Sequence, residues 1–200
     1  MGLRRLLCCA LLVCGAASAQ VIEFESGGLK YVTLTRSGFT IMFAHITAHV
    51  REYAIIQAAV SNGTPSTRTV RPEDFRFVRQ DGTVIPASTA LAVVSEMVQK
   101  AGRGDVIKLV HAYEVALYGM DRFRITNGYE QRRQAAQAAG LDSSRIKAGA
   151  AASALVLVPT RLAPKQSTDG AVFFNTGGKP LGPGKLVIRS GGDLFEFPTP

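Results

Sequence analysis

The sequence has no tryptophan, and its three cysteines, Cys8, Cys9 and Cys14, are confined to its extreme N-terminal part. That part reads as a leader. Arg4 and Arg5 precede the apolar run Leu6 to Val13, and Ala17-Ser18-Ala19 forms a small-x-small cleavage pattern. Residues 1–19 thus have the layout of a secretory signal peptide, and the mature chain is expected to start at Gln20. Without the leader there is no thiol, which excludes a disulfide, a cysteine metal ligand and a cysteine nucleophile. The run from Leu6 to Val13 is too short to cross a bilayer, so no transmembrane segment is expected after cleavage. Cys14 follows Leu11-Leu12-Val13. A bacterial lipobox wants a small residue just before its cysteine, which Val13 is not. The expectation is soluble export, periplasmic or secreted, rather than lipid anchoring.

Histidine is also scarce. His45 and His49 form H-x-x-x-H, but a zinc metalloprotease helix needs a general-base glutamate after the first histidine, and Ile46 stands there. On a strand the two imidazoles would share a face with Glu52 nearby, a three-ligand set that zinc could use. His111 stands alone beside a helical stripe and reads as structural. There is no G-x-S-x-G elbow, and no pair of carboxylates is placed as acid and base. The segment Gly177 to Lys185, GGKPLGPGK, lacks the spacing, the Ser/Thr and the following helix of a phosphate loop. No cofactor is implied.

What is present is β character interrupted by helix. Lys30 to Thr35, Phe39 to Ile46, Tyr53 to Ser61 and Phe75 to Arg79 are rich in aromatic and β-branched residues. In Tyr53 to Ser61, residues Ala54, Ile56, Ala58 and Val60 share one face, which predicts a half-buried strand. Asn62-Gly63 and Pro65 stop it. Asp81-Gly82 predicts a type I′ hairpin returning through Thr83-Val84-Ile85 to Pro86. The period then becomes helical. Ala90, Leu91, Val94, Met97 and Val98 form one stripe. Asp105 is placed to cap a second helix, Asp105 to Gly119, with the stripe Leu109, Ala112, Tyr113, Ala116, Leu117 and Met120. Tyr129 to Ala139 continues the pattern after Asn127-Gly128. Asp142-Ser143-Ser144 opens a last helix toward Val156, although Leu155 to Val158 reads equally as strand. Asp169-Gly170 then precedes the strand Ala171 to Phe174. Lys185 to Arg189 and Leu194 to Phe197 follow, with Pro198 as terminator.

These elements predict a mainly β chain: residues 20–200 as one antiparallel β-sandwich domain carrying a helical insertion over 88–158. Val60-Ser61-Asn62, Pro72-Glu73-Asp74-Phe75, Asp81-Gly82, Leu162-Ala163-Pro164 and Gly170-Ala171-Val172-Phe173-Phe174 carry a resemblance. Over Leu29 to Ile85 and Leu162 to Phe197 the chain resembles the immunoglobulin-like β-sandwich domains of secreted bacterial proteins of unknown function. It is similar in this to an immunogenic secreted mycobacterial sandwich protein. The resemblance implies the sandwich fold and no catalytic residues. The helical block departs from that pattern, which needs only a short connection there.

The net charge of +8 falls to about +6 without Arg4 and Arg5. Arg122, Arg124, Arg132, Arg133, Arg145 and Lys147 cluster in the later helical block, offset there only by Asp121, Glu130 and Asp142. They mark a basic surface for an anionic partner: an envelope protein, a polysaccharide or an anionic surface. Nucleic acid is not expected, since Phe123 and Tyr129 are the only aromatics near the cluster. Two short motifs have simpler explanations. Arg103-Gly104-Asp105 spells an adhesion tripeptide at a helix-hairpin turn, and Asn62-Gly63-Thr64 spells a glycosylation sequon at a strand end. The leading expectation is a non-enzymatic binding module. A carrier of a hydrophobic ligand between helices and sandwich, and a metal-dependent hydrolase using His45 and His49, are the alternatives.

Overall fold

The strand Tyr53–Asn62 (β4) sits inside a five-stranded sheet, paired on both sides. A computed structural model describes residues 20–26, 28–117 and 143–199 of the chain. In it β4 lies between β3 (Phe39–Val50) and β9 (Ser167–Asn175), and the sheet continues through β2 (Leu29–Arg36) to β1 (Ile22–Ser26). All pairings are antiparallel. A second sheet has the order β11 (Asp193–Thr199), β10 (Gly184–Ser190), β6 (Phe75–Arg79) and β7 (Val84–Pro86). A third, two-stranded sheet joins β5 (Arg68–Val70) to β8 (Thr160–Leu162).

The two larger sheets face each other over one apolar core. The alternation read in the sequence supplies it: every second residue of Phe75 to Arg79 and of Leu194 to Phe197 points inward. Phe43 meets Phe197 at 5.1 Å and Phe77 meets Phe174 at 6.4 Å between ring centroids, both edge-on, as ring quadrupoles prefer. The architecture is therefore mainly antiparallel β, two sheets packed face to face.

The strand β4 is not half-buried, however. Ala54, Ile56, Ala58 and Val60 face the other sheet, while Tyr53 and Ile55 face a second core. That second core is made with helices. Among the described residues these are α1 (Ala90–Lys100), α2 (Arg103–Leu117) and α3 (Ser144–Leu155). Val93, Met97, Leu109, Ala148, Ala152 and Leu155 pack there with Tyr53, Ile55, Ala171 and Phe173. A strand covered on both faces needs no strict alternation. Gln57 is tolerated in it because its Nε2 donates to the buried carboxylate of Asp169 across the strand pair, at 3.3 Å.

Local chemistry explains the ends. Thr89 caps α1, its hydroxyl accepting the Ala92 N–H at 3.2 Å. Asp105 is not the cap of α2 but lies in its first turn, where its carboxylate accepts the Gly102 N–H at 2.8 Å. The extended residue Ser143 precedes α3. Residues 118–142, with Tyr129 to Ala139 and Met120, and residues 1–19, with the leader, lie outside the described residues.

Several expectations need correction. The Asp81-Gly82 turn is not type I′, since Gly82 has φ +84° and Asp81 is not among the residues with positive φ. Instead Gly82 donates to the Arg79 carbonyl, Arg79 to the Thr83 carbonyl, and the Asp81 carboxylate accepts the Thr83 N–H at 2.8 Å. This is the longer hairpin loop that ends in a left-handed glycine. Those bonds also hold the Asp81 carboxyl below its usual pKa, the Thr83 N–H being the largest cause. The strand expected from Ala171 begins earlier, and Asp169-Gly170 lies inside β9. Leu155 ends α3, and Val156 then bridges Ala171 in parallel, so helix and extended chain share Leu155 to Val158. Pro198 does not end a strand. It lies within β11, an edge strand whose outer side tolerates a missing N–H. The strands β1, β5 and β8 carried too little alternation to be read from sequence.

Candidate functional site

In β3, His45 pairs with Ile56 and His49 with Ala54, and the register shifts between Ile46 and His49. Among the described residues no group of three or more His, Cys, Asp or Glu is placed to hold a metal. The Glu52 carbonyl accepts the N–H groups of Thr176 and Gly178. The glycine-rich segment is the β9–β10 loop, beside an open groove of about 350 Å³ lined by Arg79, Lys179 and Leu181. The Arg79 guanidinium is spent on that loop, donating to the carbonyls of Leu181 at 3.0 Å and Pro180 at 3.3 Å.

Asn62 is fully buried. Its Nδ2 donates to the carbonyls of Ser66 and Leu162, and its Oδ1 accepts the N–H and hydroxyl of Thr64. The sequon is a structural clasp. In Arg103-Gly104-Asp105, the Asp105 carboxylate is taken by Gly102 and by Arg51 at 3.4 Å. His111 is exposed rather than structural.

The helical layer remains, and polar contacts dock it. Tyr53 donates its hydroxyl to Glu96 at 2.6 Å, Lys100 pairs with Glu96 at 3.6 Å, and Arg51 donates to the Lys100 carbonyl at 2.8 Å. Burial, then the Glu96 carboxylate, push the Tyr53 phenol well above its usual pKa. An acid whose folded pKa is raised contributes stability that is intact below the unfolded pKa, about 10, and lost as pH rises past it. Tyr53→Phe is therefore expected to cost about 1–2 kcal/mol at neutral pH and to flatten the alkaline loss of stability. Urea unfolding at neutral pH and above pH about 10 checks this, and an unchanged alkaline slope would refute it.

The sides of the helices not used for docking carry two kinds of residue. Leu91 is 80 % exposed, Ile107 60 % and Ile146 47 %, with Val98 and Val110 less so. Arg103, Lys108, Arg145 and Lys147 are exposed cations, and none makes an ion pair with an acid among the described residues. Two acids of these helices are engaged: Glu96 by Tyr53 and Lys100, Asp105 by Arg51 and Gly102. Of the six cations singled out in sequence, Arg145 and Lys147 lie on this surface. Arg122, Arg124, Arg132 and Arg133 lie outside the described residues.

Sequence reasoning missed Arg103 and Lys108, and it set the rotation of α1 partly wrong. Met97 is buried as expected, with Ala90 and Val94 packed against the same core, but Leu91 and Val98 are exposed and Val93 is buried instead. The run ALAVV at the start of α1 is apolar on most of its circumference, so periodicity alone does not fix its rotation. The four-residue spacing from Val93 to Met97 was the available signal. On α2, Leu109 is buried as expected.

Compared with family models, curated proteins and solved structures, the chain matches none.

Proposed function

We propose that the protein is an exported, non-enzymatic binding module: an immunoglobulin-like sandwich used as a scaffold, with its helical layer turned to an anionic partner. Strand order supports the immunoglobulin-like part. β4 lies between β3 and the end strand β9 in one sheet, and β6–β10 is the inner pair of the other, flanked by β7 and β11. This is the arrangement of strands A, B and E against C′, C, F and G. Where a further strand would pair with β9, the helical block stands instead, touching β9 through Val156 and Ala87. The leader, Arg4-Arg5, Leu6 to Val13 and Ala17-Ser18-Ala19, supports export.

The observation that carries the reading is the charge asymmetry of the helices. Glu96 and Asp105 are spent inside, on Tyr53 and Arg51, while Arg103, Lys108, Arg145 and Lys147 are left outside. An exposed cluster of one sign draws in opposite charge and steers its approach. The contact between helices and sheet is meanwhile filled by Val93, Met97, Ala148, Ala152 and Phe173 side chains, which favours a surface over an internal ligand pocket.

The test is a matched pair of charge reversals. Arg145→Glu with Lys147→Glu should weaken binding to dextran sulfate at least tenfold. Arg76→Glu with Arg189→Glu, on the outer face of the four-stranded sheet, makes the same change in net charge and should leave binding within about twofold. Equal losses in the two variants would mean that total charge, not this surface, is responsible.

A further inference from the structure

We infer that the anionic partner is a lipid bilayer surface, on which the helical layer lies flat through its cations and its exposed aliphatic side chains. This rests on the anionic-surface reading above and narrows it to one chemistry.

The cations alone do not choose between a dissolved polyanion and a membrane. The aliphatic residues do. Leu91, Ile107 and Ile146 keep about half or more of their surface in water on three neighbouring helices. A sulfated or carboxylated polysaccharide matches Arg103, Lys108, Arg145 and Lys147 but has nothing to cover a leucine or isoleucine. Isolated exposed aliphatics need no explanation, but aliphatics interspersed with exposed cations on one layer form the pattern that interfacial helices use. There the basic groups sit among headgroups while the apolar side chains dip toward the acyl boundary. A second copy of the chain fits poorly, because two such faces would bring like charges together.

The geometry suits a flat contact. All three helices give their inner residues to one core on one sheet, so their remaining surfaces lie along the side of the layer away from that sheet and along its rim. None of the described helices is long and apolar enough to cross a membrane, so the contact is peripheral. Binding should need anionic headgroups, since a few scattered aliphatic side chains hold little on their own. It should weaken steeply with salt.

Flotation with phosphatidylcholine vesicles, with and without one third phosphatidylglycerol, tests this at low salt. The intact chain should bind the anionic vesicles only. Arg145→Glu with Lys147→Glu should lower the partition coefficient by roughly twentyfold or more, at about fivefold per cation removed. Leu91→Ser with Ile107→Ser changes exposed positions and should leave thermal unfolding unchanged. It should lower binding to anionic vesicles by about tenfold while leaving binding to dextran sulfate intact. Three results would overturn the inference. If the serine variant binds anionic vesicles as the parent does, the contact is charge alone, and the aliphatic contact that singles out a bilayer fails. If the parent binds dextran sulfate but not the vesicles, the lipid identity fails and the anionic-surface reading stands. If it binds neither, both fail.

Discussion

Alanine at Gly170 is expected to cost about 3 kcal/mol, at the upper end of the range for overpacking a filled interior. For a chain of this length that lowers the melting temperature by roughly 6–12 °C. A Cβ built at Gly170 comes within 2.5 Å of the Leu157 Cα and 2.7 Å of its N. The obstacle is backbone, not the tip of a flexible side chain. Nor can that backbone step aside easily. Leu157 donates its N–H to the Ala171 carbonyl at 2.8 Å, Val156 bridges Ala171, and the Leu157 side chain is fully buried between the sheets. The chain leaving α3 thus crosses β9 at the one place where it has no side chain. A thermal melt of Gly170→Ala beside the parent measures the cost. A shift below about 2 °C would mean that Leu157 does not hold this position.

The same residue shows where sequence reading stopped. Asp169-Gly170 has the composition of a strand boundary, so the strand was read only from Ala171. Its real context is non-local: Gln57 across the strand pair accounts for the aspartate, and Leu157 passing overhead accounts for the glycine. The sandwich strands were legible because each carries an inward-facing row, as in Phe75 and Phe77 or Phe195 and Phe197, bounded by Gly, Pro or Asn. The burial of the second face of β4 was not, because Ile55 and Gln57 gain their cover from segments far along the chain. The site was half legible for a related reason. Charge is visible in sequence, so Arg145 and Lys147 were found. Whether Leu91 or Val93 meets the sheet depends on how a short, nearly all-apolar helix start is rotated, and only packing decides that.

Phe173 and Phe174 permit a test of how the layers depend on one another. They are adjacent on β9, fully buried, and point to opposite faces. Phe174 lies between the sheets, edge-on to Phe77. Phe173 lies under the helices, edge-on to Tyr53 at 5.7 Å. Either Phe→Ala change should cost about 3–5 kcal/mol, the transfer loss plus the cavity left behind. The costs should appear in different places. Phe174→Ala removes a ring that both sheets share, so it should lower the global unfolding free energy and speed amide exchange in β4 and β10 together. Phe173→Ala removes the ring on which α1 and α3 sit, while the inter-sheet core keeps all its aromatic contacts. It should speed exchange in α1 and α3 by two orders of magnitude or more, with β6 and β10 still protected, because a layer docked on a stable sheet can open by itself. The helical layer would then be an adjustable surface on a fixed scaffold, and its binding could change without unfolding the sandwich. Equal acceleration in α1 and β10 after Phe173→Ala would show instead that the three layers fold as one unit, and that the surface cannot loosen unless the sandwich does.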